Sequence, residues 1–150
     1  MGSHIQPASA VSKSFTGRLA GRAIVAGIVS GILVDLFPIL AHAAPFPAIY
    51  QFIASALVGK VAFTSASYIW LGVAIHFAVS IGWALLYAYG WYARHPSERW
   101  VWPGLVFGII VMVVMQIIQM IAHVAQPITV KRGILVLIAH IVFFGWPVAL

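Results

Sequence analysis

The 150-residue chain has no cysteine and only two acidic residues, Asp35 and Glu98. The first absence excludes disulfides, thiolate metal sites and thiol nucleophiles. The second leaves little for paired-carboxylate chemistry, and no Walker loop, nucleophile elbow or HExxH motif is present. The sequence reads against an enzyme. Charge of any kind is scarce, at 7% of residues against about a quarter in a soluble domain. Strand-like alternation is also missing, which argues against a transmembrane barrel.

What is present is apolar. Hydrophobic residues make up 63% of the chain and mean hydropathy is +1.07. Several long runs produce this bias, so the expected class is all-α, a polytopic membrane protein in contact with the lipid bilayer. The formal net charge of +6 comes from a few Lys and Arg at the ends of these runs. They read as topology signals and not as a nucleic-acid surface. The opening Met-Gly-Ser-His reads as an expression-tag remnant. Lys13, Arg18 and Arg22 before a run ending in "AHAAP" resemble a signal peptide, but the run is long enough to span and reads as a retained first helix.

Four segments are expected to cross the membrane, at about residues 19–41, 68–92, 101–125 and 133–150, in one domain covering 1–150. Between the first two, the stretch 47–58 is too short to span. Phe46, Ile49, Tyr50, Ile53 and Leu57 follow helical spacing, Pro47 suits a first turn and Gly59 a stop. The expectation is an interfacial or re-entrant half-helix. Lys13, Arg18, Arg22, Arg94 and Arg99 fall on one side, Lys60, Lys131 and Arg132 on the other. That asymmetry places both termini in the cytoplasm of a bacterial inner-membrane protein.

Small residues at every fourth position mark helix-packing faces. Ala23, Gly27 and Gly31 lead to Asp35 in the first segment; Gly72, Ser80, Ala84 and Ala88 flank His76 in the second. Gly104 and Gly108 open the third, whose polar side continues through Gln116, Gln119 and His123. At about 1.5 Å per residue, His76 lies roughly 12 Å and His140 roughly 10 Å inside the outer end of its segment. Asp35 and Gln119 come to a similar layer of the outer leaflet. An intramembrane carboxylate implies a partner, a water cavity or an ion path. Taken singly, each histidine reads as a structural donor, His42 and His123 as solvated helix-end residues, and Gln116 as an interhelical hydrogen-bonding group.

From the second segment onward the pattern resembles the YagU-type family of small bacterial inner-membrane proteins. The resembling residues are His76, Ser80, Ala84 and Tyr87, then Trp102 and Gly104, then His140, over roughly half the chain. The resemblance implies a polytopic inner-membrane protein and brings no catalytic site or cofactor. The first hairpin departs from the family pattern, so Asp35 draws no support from it.

Three readings remain open. The first is a transporter, channel or binding protein in which Asp35, His76, Gln119 and His140 line an outward-facing pocket for a small solute, a proton or a divalent transition metal. His76, His140 and Asp35 are the metal-ligand candidates, with His123, His42 and Gln116 as accessories. The second is a b-type cytochrome with haem between His76 and His140, where Gly27, Gly31, Gly72 and Gly108 make room for the macrocycle. The third is a helix-packing module. A homodimer is expected to suit all three.

Overall fold

The structure, a computed structural model, describes residues 8–41, 45–95, 99–124 and 129–150, with side chains from residue 17 onward. Among the described residues every regular element is helical. In hydrocarbon, backbone N–H and C=O groups have no water to turn to, and a helix satisfies them within one segment.

Helix α1 (Ala8–Leu40) is a single 33-residue element with Pro38 in its last turn. Helix α2 (Phe46–Val58) begins after an extended Pro45, with a proline in its first turn where no intrahelical donor is lost. It ends at Gly59, whose φ of +72° is left-handed and open to glycine at little cost. A 3-10 turn (Gly59–Phe63) follows. The Gln51 amide donates to the Ser65 carbonyl at 3.4 Å, so the chain beyond Gly59 returns alongside α2. Helix α3 (Ser67–Tyr87) continues through a π-helical turn, Ala88–Tyr92. Helix α4 is Val101–Ile121. Helix α5 (Val130–Ile138) starts three residues before the expected position, because Thr129 Oγ1 accepts from the Arg132 amide at 3.3 Å and caps it. A π-helical stretch (Ala139–Gly145) and a short α6 (Trp146–Ala149) complete the last run.

The all-helical class with apolar helices is met. By length and composition five described helices could cross a membrane, where the sequence reading has four spans and a short helix, because the 3-10 turn extends α2 to an 18-residue run, Phe46–Phe63. Sequence spacing stopped that helix at Gly59; the apolar turn beyond it adds the missing length.

Small residues set the packing. At Gly27 a Cβ would sit 2.7 Å from Ile81 Cα, at Gly108 it would sit 2.8 Å from Ile141 Cα, and at Gly104 it would sit 2.8 Å from the Trp146 ring. Only a bare backbone allows these helices so close. The pairs have a direction. Gly27 meets Ile81, Gly31 meets Phe77, and Leu19 and Ala23 pack with Ala88 and Tyr92, so α1 and α3 run antiparallel. Gly104 beside Trp146 and Gly108 beside Ile141 make α4 antiparallel to the last run. Tyr87, Phe107, Val111, Phe144 and Val148 form a core between α3, α4 and that run. Large apolar side chains such as Ile32, Trp70 and Ile121 face outward, as a lipid-facing surface requires.

Candidate functional site

The site forms where α1 crosses α3. Gly31 has no side chain, and a Cβ there would meet Ser80 Oγ at 3.1 Å and His76 Nε2 at 3.2 Å. The gap left by that glycine admits the imidazole of His76 to the backbone of α1. His76 Nε2 lies 3.1 Å from the Gly31 carbonyl and 3.1 Å from Asp35 Oδ2, one turn further along α1. One ring nitrogen carries at most one proton, so it cannot donate to both oxygens. The carbonyl has hydrogen-bond geometry. Asp35 Oδ2 is in ion-pair range but receives no hydrogen bond, and with Ser30 Oγ it is one of two buried side-chain oxygens without a partner among the described residues. Asp35 is only 7% exposed.

Helix α2 supplies the third member. Gly72 on α3 lets the α2 backbone approach so closely that a Cβ would stand 2.9 Å from Tyr50 Cα. This contact seats Tyr50, itself buried, beside the Asp35–His76 pair, with its ring edge-on to His76 at 6.0 Å. The Phe77 ring meets the imidazole edge-on at 5.3 Å. The result is one carboxylate, one imidazole and one phenol in an apolar surround.

Of the residues expected to converge, Asp35 and His76 meet directly. His140 Nδ1 is bound to the Val136 carbonyl at 2.8 Å within its own helix. Gln119 is elsewhere. It lines an apolar cleft of about 430 Å³ with Phe52, Ile75, Val79, Trp83 and Met115, between α2, α3 and α4. Ile75 and Val79 project on a different side of α3 from His76, so Gln119 does not join the Asp35 site. The packing face of α4 is Gly104, Phe107, Gly108 and Val111; Gln116 is half-buried beside it. His123 is exposed past the end of α4, with φ +56°. His42 lies outside the described residues.

Two further observations concern the metal and haem readings. Among the described residues no three His, Asp or Glu side chains are grouped to hold a metal ion. The glycines assigned to a haem pocket are also filled. Gly27, Gly72 and Gly108 each abut the backbone of a neighbouring helix, and Gly31 abuts His76, Ser80 and Phe77. Those glycines make crossings, with no slot for a macrocycle.

Tyr50 and Ser30 were missed in the sequence. The spacing in 47–58 uses Tyr50 only as an apolar position, although a phenol on that face is a usable sign. Ser30, one position from the Gly27–Gly31 stripe, is not. Compared with protein-family models, curated proteins and solved structures, the chain finds no match, which leaves the YagU-type resemblance resting on its residues alone.

Proposed function

We propose that the protein is a four-span inner-membrane protein in which Asp35, His76 and Tyr50 form a single-proton site serving transport of a proton or of a small solute coupled to it. The observation that carries this reading is the buried Asp35 Oδ2, 3.1 Å from His76 Nε2 and without a hydrogen bond among the described residues. Charge in hydrocarbon is costly. A carboxylate with an imidazolium, or a carboxylic acid with a neutral imidazole, each holds one proton and carries no net charge. Loss of that proton leaves a net negative site in an apolar surround. The pair therefore holds a proton until something compensates its departure, which is what a coupled carrier requires.

The chain direction supports a re-entrant α2. Antiparallel α1 and α3 put the end of α1 and the start of α3 on the same side, so the segment between them enters and leaves on that side. The left-handed turn at Gly59 and the Gln51–Ser65 bond agree with such a return. On the Lys and Arg asymmetry that side is the periplasm, with both termini in the cytoplasm.

The test is an infrared pH titration of the protein in liposomes. The chain has two acidic side chains, so a carboxyl band is readily assigned. A protonated-carboxyl band should appear on acidification, shift in D₂O and vanish in Asp35→Asn, with pH-driven proton uptake lost in the same variant. A titration identical in wild type and Asp35→Asn would sink the reading and favour a packing role for the pair.

A further inference from the structure

Helix α2 is packed on one side and free on another. Tyr50 and Ala54, one turn apart, are buried; Tyr50 rests on Gly72 of α3 and stands edge-on to His76. The neighbouring face of α2, Phe52, Ile53 and Ala56, forms one wall of the cleft of about 430 Å³, and Met115 and Gln119 of α4 form the opposite wall. Gly82 lies on its α3 floor, where an added Cβ would meet nothing within 4 Å. That floor is on a different side of α3 from His76, so a shift of α2 into the cleft carries Tyr50 away from the pair. The helix also ends in a hinge. Gly59 has φ +72° and room even for an added Cβ, and the Gln51–Ser65 bond that ties α2 to the chain beyond is exposed and long, at 3.4 Å. We infer that α2 is a gate that pivots at Gly59 into the cleft, drawing Tyr50 off Asp35 and His76 and admitting water to them from the periplasmic side.

The size of the cleft fits the motion. With 13 residues, α2 is about 20 Å long and about 10 Å wide. Swept as a wedge about the Gly59 end, 430 Å³ allows about 4 Å at the far end and about 3 Å at Tyr50, roughly the width of a water molecule. The helix carries no charged side chain, and its Ser55 hydroxyl donates to the Phe52 carbonyl of the same helix at 2.6 Å, so that bond travels with it. This motion rests on the proton-site reading of Asp35 and His76, and it supplies what that site needs, a route for water to a carboxylate only 7% exposed.

The experiment places a reporter thiol at the site, Asp35→Cys, in a chain that has no other cysteine. Silver ion, a thiol reagent small enough to follow water, is applied to spheroplasts from the periplasmic side and to inverted vesicles from the cytoplasmic side. Access to position 35 needs no proton, so this labelling can fail while the infrared titration succeeds, and the reverse. Gly82→Phe and Ala56→Phe each fill the cleft without altering Tyr50 or Gly59, and each should slow periplasmic labelling about tenfold. Gly59→Val strains the left-handed turn of the closed form and should speed labelling. Unchanged helical content and elution verify the fold, and two independent fillings guard against one that misfolds. Slower labelling in a folded, cleft-filled variant supports the gate. Equal rates with and without the filling overturn it, as does a thiol that silver never reaches from the periplasmic side or reaches only from the cytoplasmic side. A rate unmoved by Gly59→Val overturns the pivot.

Discussion

Removing His76 should harm the protein more than removing both members of the pair. The two side chains are about nine-tenths buried, at 12% and 10% exposure, and 3.1 Å apart. Breaking a buried pair from one side strands the other charge, at a cost of about 3–5 kcal/mol. His76→Ala therefore leaves Asp35 uncompensated in an apolar surround. Asp35→Asn retains the shape, removes the charge and leaves the His76–Gly31 bond in place. It should cost about 1 kcal/mol. In Asp35→Asn/His76→Ala the stranded charge is gone, and only the imidazole packing and its carbonyl bond are lost. The double variant should be more stable than His76→Ala by about 2 kcal/mol, a coupling in the range found for contacting residues. Reversible unfolding of the purified protein in mixed micelles gives all three values. The pH dependence has a definite sign. Acid neutralises the stranded carboxylate in the folded state, so His76→Ala regains stability as pH falls, whereas the double variant has no such carboxylate and does not. Strictly additive costs, or a His76→Ala penalty indifferent to pH, would refute the charge coupling.

Other expectations follow from single contacts. Gly72→Val drives a side chain into the Tyr50 backbone and should cost about 1–3 kcal/mol while altering the carboxyl band of Asp35, since Tyr50 moves with α2. Gln119→Leu lies in the apolar cleft and should leave both that band and stability unchanged within about 0.5 kcal/mol. Trp146→Phe removes the indole donor to the Val101 carbonyl at 3.1 Å and should lower stability by about 0.5–1.5 kcal/mol in the same unfolding assay. Because the chain has no cysteine, single cysteines at Pro45 and Lys60 can be labelled cleanly. Both should react from the periplasmic side; labelling from opposite sides would make α2 a full span.

The helices were legible because hydrocarbon imposes one requirement on every segment, a long apolar run with its backbone satisfied internally. The crossing of α1 and α3 was legible for a related reason. Ala23, Gly27, Gly31 and Asp35 repeat with the period of a helix face, as do Gly72, His76, Ser80 and Ala84, and two smooth faces favour each other. The purpose of the glycines was not legible. A residue without a side chain reads identically whether the space it leaves takes a ligand or a neighbouring backbone. At Gly27, Gly72 and Gly108 it takes backbone.

Depth and direction separate the residues that met from those that did not. Position along a segment gives depth at about 1.5 Å per residue, so an error of one residue hardly matters. Direction turns by about 100° per residue, and a single segment has no external mark from which to measure it. Asp35 and His76 had such a mark, because each sits on a stripe of small residues that must face another helix. Gln119 and His140 had only their depth. Gln119 turned into the apolar cleft, and His140 turned back to the Val136 carbonyl of its own helix, where π-helical geometry begins. Tyr50 had both depth and direction, since its helix has one packing face, but its ring concealed the hydroxyl among apolar neighbours. A polar atom on a small-residue stripe is thus stronger evidence for an intramembrane site than several polar atoms at one depth. By that criterion Ser80, buried on the His76 stripe with its Oγ toward Gly31, belongs to the neighbourhood of the pair, and Gln119 does not.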